Sequence, residues 1–139
     1  MSAWRRKAVL LFPELKADAK DWTSAYQLFF DLLPFVMDSH RLRNEDALFR
    51  VYGFAEWCLH QKSKELWNPA GVCFYEHLFD EQNKWDDVIP WLSPSVVKEC
   101  MGLWQARLSD VKFEQLKLRL SSGEISRVNS FHSGQIEAL

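Results

Sequence analysis

Apolar residues crowd the stretch from Glu45 to Lys62 more densely than any other. Laid on a helix, Ala47, Leu48, Phe49, Val51, Tyr52, Phe54, Ala55, Trp57, Cys58 and Leu59 leave only one polar edge. A helix apolar over most of its circumference needs neighbours on nearly every side, which predicts the centre of the fold. Asn44 is its expected N-cap, with Glu45 and Asp46 favouring the positive end of the helix dipole. A partner helix is predicted over Pro69–Asp80. Asn68 would cap it, and Pro69 would occupy the first position, where a missing N–H costs nothing.

The flanking pattern is also helical. Trp4, Ala8, Leu11 and Phe12 share a stripe over Ala3–Phe12, which Pro13 ends. Trp22, Ala25, Phe29, Leu32 and Val36 recur at helical spacing over Trp22–Leu42. Pro34 falls on the polar face, which predicts one bent helix with the freed carbonyl of Phe30 in water. The basic group His40, Arg41 and Arg43 reads as a favourable charge at that helix's C-terminal end. Ser93-Pro94 repeats the cap-and-proline start for a helix reaching Arg107, and Ser109-Asp110 opens a last one to Leu120. A hairpin competes there, because Leu116, Leu118 and Leu120 alternate and Ile125 to Phe131 can return after Ser121-Ser122-Gly123. The helix is preferred, since nothing else in the chain offers a sheet. The serine-rich end reads as a flexible tail. The expected architecture is therefore all-α: a single-domain irregular bundle of about six helices, residues 1–120, around a central apolar helix pair, with residues 121–139 as the tail.

Composition narrows the function more than the fold. Ten Phe, seven Trp and three Tyr supply enough ring area to build a small helical core. A net charge of −2 gives no electrostatic footprint for nucleic acid. Cys58, Cys73 and Cys100 each sit in an apolar context without a Cys-x-x-Cys pair, so they read as buried free thiols in a reducing compartment. The apolar run after Arg5-Arg6-Lys7 is too short for a signal core or a membrane span. Cytoplasmic placement, with no membrane partner, is the expectation.

The runs Tyr52-Gly53-Phe54-Ala55-Glu56-Trp57-Cys58-Leu59 and Asn68-Pro69-Ala70-Gly71-Val72-Cys73-Phe74-Tyr75-Glu76-His77-Leu78 resemble those of a family of small uncharacterised bacterial proteins. The resemblance spans roughly Trp4 to Leu108. It implies a helical, intracellular, bacterial protein. That family has no known activity, so no catalytic residue is transferred.

Two sets of residues are candidates for function. Glu56, His60, Cys73, Glu76 and His77 lie on the two central helices, where Glu and His from facing helices can hold a metal. The set departs from known patterns: it has Glu-x-x-x-His once, and Cys73-x-x-x-His77 lacks a second cysteine. The bland reading is a surface pair, a core thiol and a helix-end histidine. The other set is the connector, where Trp85 and Trp91 stand among Asp80, Glu81, Asp86 and Asp87. Aromatics rimmed by charge suit an interface, with the carboxylates steering a basic protein partner. The competing reading has both indoles tucked against the core. No nucleophile elbow, zinc-protease motif or phosphate loop is present. The expectation is a non-enzymatic protein-binding module without a cofactor, an immunity-type or inhibitory protein being its concrete version. A metal protein or enzyme using the Glu/His set is the alternative.

Overall fold

The computed structural model describes residues 2–80, 82–122 and 135–139. Among them all regular structure is helical, with no strand. The main helices are α1 (Ala3–Leu11), α2 (Ala25–Arg41), α3 (Glu45–Leu59), α4 (Lys64–Pro69), α5 (Trp85–Val88), α6 (Pro94–Arg107) and α7 (Asp110–Leu120). Short 3-10 turns cover Pro13–Leu15, Ala19–Asp21, Tyr75–His77 and Ile89–Trp91. The hairpin alternative is excluded over Leu116–Leu120, which is helical; its return strand lies outside the described residues.

Helix α3 holds the position its apolar circumference requires. Every residue from Val51 to Cys58 is buried, and α1, α2, α4 and the 89–91 turn all pack against it. Asn44 Oδ1 accepts from the amide of Ala47 at 3.2 Å, as an N-cap should. On the polar edge, Arg50 takes Asp46 at 3.0 Å. It also grips both carboxylate oxygens of Glu14 and the carbonyl of Leu11, tying the end of α1 to α3. The expected Glu56–His60 pair does not form. Glu56 is buried and accepts from the Ser93 hydroxyl, while His60 turns to Glu99.

Helix α2 is one helix through Pro34, as its polar-face position predicts: Pro34 is exposed, and the carbonyl it frees belongs to Phe30, itself exposed. A capping box between Ser24 and Gln27 starts this helix after Trp22, whose indole N–H donates to Asp31 at 2.8 Å.

The second central element differs from the expectation. Asn68 is not a cap and Pro69 is not a first position; α4 begins at Lys64 and contains both. The backbone then widens into a π turn over Ala70–Phe74 before tightening to the 3-10 turn at Tyr75. Pro69 removes only the bond to the carbonyl of exposed Glu65. Tertiary packing then favours the wide turn. It lets Phe74 meet Phe29 and Tyr52 at ring distances of 5.7 and 5.8 Å. It also seats Gly71 so close to α6 that a Cβ would stand 3.2 Å from Leu103.

The far end of the expected tail is docked. Ile136 is buried, Lys7 Nζ donates to the carbonyls of Ile136 and Glu137 at 3.0 and 3.1 Å, and the Trp57 indole donates to the Glu137 carboxylate. These contacts set residues 136 and 137 against α1 and α3; residues 123–134 of the expected tail lie outside the described residues.

Candidate functional site

The connector brings its residues to different places. Trp91 is core: it stacks on Tyr52 at 5.7 Å and meets Phe49 edge-on at 4.7 Å. Trp85 is half-buried against Phe79, its indole N–H donating to the Phe79 carbonyl at 3.0 Å, with Arg119 of α7 over its ring. The reading of Trp91 as an exposed anchor is thus corrected, and Trp85 offers one face at most. Two of the carboxylates are already engaged. Asp80 holds Arg107 through both oxygens at 2.6 and 2.9 Å, and Asp86 takes Arg119 at 3.1 Å. Glu81 lies outside the described residues.

The proposed metal set is not assembled. Glu56 meets Ser93, and His60 contacts Ser95 and Glu99 through the same ring nitrogen. His77 lies between Glu76 and Asp80 at 3.8 and 3.4 Å, beside the Asp80–Arg107 pair. Cys73 is buried, and burial raises its thiol pKa. Among the described residues no three His, Cys, Asp or Glu side chains are placed to hold a metal. Burial likewise pushes Cys58 well up and Cys100 up to about 12, so neither is a ready thiolate.

What the structure does assemble is a groove where the α2–α3 corner faces the connector. Two adjoining cavities, of about 400 and 200 Å³, share His40, Arg43 and Asp87. The larger is lined also by Met37, Asp38, Arg41, Lys84 and Val88, and the smaller also by Glu45, Leu48, Asp86, Pro90 and Trp91. His40 Nε2 lies 2.7 Å from the buried Tyr52 hydroxyl. Burial holds the imidazole pKa down to about 4, against the opposing pull of Asp87, so the ring is neutral at pH 7.

Arg43 carries the most informative geometry. The amide of Asn44 bonds to the carbonyl of Ser39 at 2.9 Å, and that of Arg43 to the carbonyl of His40 at 3.1 Å. Those two bonds make a Schellman C-cap with Arg43 at the left-handed position, φ 54°. Glycine belongs there, since any Cβ is strained in that region. The Arg43 side chain forms no hydrogen bond or ion pair among the described residues. The fold therefore bears the strain and receives nothing from the guanidinium. Arg43→Gly should raise stability by about 0.5–1 kcal/mol in urea unfolding, whereas Arg43→Ala, which keeps a Cβ, should not.

Residues 6–106 match the family described as Domain of unknown function (DUF7674). The chain belongs to that family. No curated protein and no solved structure matches it. The groove residues His40, Arg43, Lys84 and Asp87 all fall inside the DUF7674 domain, while α7 and residues 135–139 lie beyond the matched stretch. Among the described residues no helix is long and apolar enough to cross a membrane.

Sequence reasoning missed His40 and Arg43 as site residues because a basic helix end has an ordinary explanation in the dipole. The available signal was Leu42-Arg43-Asn44 at a helix boundary, where a glycine is expected and none stands.

Proposed function

We propose that this DUF7674 domain is a non-enzymatic protein-binding module whose binding face is the groove between the α2–α3 corner and the connector. The carrying observation is Arg43: a strained, unpaired arginine at the junction of two cavities, where the fold alone would favour glycine. Arginine is among the residues enriched at the energetic centres of protein interfaces. The neutral His40 and the buried, protonated cysteines argue against nucleophilic chemistry at neutral pH. An inhibitory or immunity-type role fits such a module. A basic partner has less support than the connector's acidity implies, because Asp80 and Asp86 already hold arginines of this chain.

Photo-crosslinking tests this reading. A benzophenone amino acid at position 43 should trap a discrete partner in the source cell. The same group at Gly102, exposed on α6 away from the groove, should not. Arg43→Gly should weaken the trapped partner's affinity by roughly tenfold or more, the loss typical of a hot-spot arginine. Equal crosslinking from both positions, or none from position 43, would remove the groove as the binding face.

A further inference from the structure

On the reading that the groove is a binding face, we propose that its larger cavity recognises a carboxylate of the partner, with Arg43, Lys84 and His40 as the donors. Tyr52 determines the form of the third. Its hydroxyl is buried, and His40 Nε2 is its hydrogen-bond partner among the described residues. A buried phenol proton needs an acceptor, and an unprotonated ring nitrogen is the one at hand. Nε2 therefore accepts, which leaves the imidazole proton on Nδ1. That N–H has no partner among the described residues, yet none of their side-chain nitrogens or oxygens that are closed off from solvent lacks one. Nδ1–H consequently meets solvent, and His40 lines both cavities of the groove.

The larger cavity is thus lined by three donors with no acceptor of their own among the described residues. Lys84, like Arg43, makes no side-chain hydrogen bond or ion pair among the described residues. Arg41, also on the wall, is engaged by Asp38 at 3.2 Å. Among the described residues that line it, the remaining charges are two cations, Arg43 and Lys84, against one carboxylate, Asp87, a net charge of one positive; Glu45 and Asp86 line only the adjoining cavity, where Asp86 is held by Arg119. That balance suits a single negative charge. A dianionic phosphate would exceed that balance and leave surplus negative charge beside Asp87. A planar carboxylate also matches the guanidinium fork of Arg43. Such a group comes either from a Glu or Asp side chain or from a chain terminus.

Three short peptides of one neutral sequence serve as probes against the full chain. One has a central Glu and blocked ends, one a free C-terminal carboxylate, and one a central Lys with blocked ends. Heteronuclear NMR of the imidazole should show the His40 Nδ1 signal moving with a carboxylate peptide and not with the Lys peptide. Whichever carboxylate peptide binds more tightly assigns the source. Arg43→Gly and Lys84→Ala should each weaken that binding by about tenfold, as expected for a charged hydrogen bond. Tyr52→Phe, which frees the tautomer, should weaken it too while leaving binding dependent on Arg43. Equal binding of the Lys peptide, or no shift of His40 with either carboxylate, overturns the proposal. A crosslinked partner at position 43 without carboxylate binding would sink this inference alone. Carboxylate binding with no crosslink would sink the protein-binding reading alone.

Discussion

Phe54→Ala is expected to cost about 3–5 kcal/mol, the range for emptying a buried aromatic site. Phe54 is fully buried on α3 and meets Phe12 edge-on at 5.6 Å, Phe29 at 6.1 Å and Trp57 at 6.0 Å. Those three rings come from the end of α1, from α2 and from α3 itself, so the cavity opens where the elements converge. Rigid neighbouring rings cannot collapse far into it, which places the cost in the upper part of the range. A domain of this size has about 5–15 kcal/mol in all, so the variant should be marginal at best. Phe30→Ala is the control. Its ring is 65% exposed on α2, and the change should stay within about 0.5 kcal/mol. Urea unfolding followed by circular dichroism checks both. A Phe54→Ala loss below about 1 kcal/mol would mean that α3 is not the hub its burial indicates.

The reach of the sequence can be traced residue by residue. Asn44, Ser93 and Ser109 were legible as caps because capping is local: a side chain reaches an amide three residues on, whatever the rest of the fold does. Helices α1, α2, α3, α6 and α7 were legible because apolar spacing reports which face is buried. Asn68-Pro69 carries the same local signal as Ser93-Pro94, yet it lies within α4. What overrides the signal there is the π turn's fit against Phe29, Tyr52 and Leu103, and none of those residues is near in sequence. The connector has no period, so nothing local could show that Trp91 stacks on Tyr52 while Trp85 keeps a face toward Arg119. The groove was the least legible part. Arg43 matters through its backbone angle, and His40 through Tyr52, a residue that sequence patterning assigns wholly to the core.

Trp104→Ala should be as severe as Phe54→Ala, at about 3–5 kcal/mol, and its conservative counterpart shows why. Trp104 is fully buried on α6, edge-on to Phe79 at 5.0 Å, and its indole N–H donates to the carbonyl of Tyr75 at 2.7 Å. That carbonyl closes the junction between the π turn and the 3-10 turn, where it also accepts from the amide of Leu78 at 3.2 Å. Trp104→Phe keeps most of the ring contact and removes only the indole donor. The Tyr75 oxygen then retains one of its two bonds, so it is under-satisfied rather than orphaned. The expected loss for Trp104→Phe is therefore about 1–2 kcal/mol, from one hydrogen bond and a small void. The difference between the two variants measures how far α6 holds the 70–77 segment by packing. A Phe variant as damaging as the Ala variant would assign that hold to the hydrogen bond instead. In that case hydrogen exchange should show the amide of Leu78 losing protection before the core amides of α3.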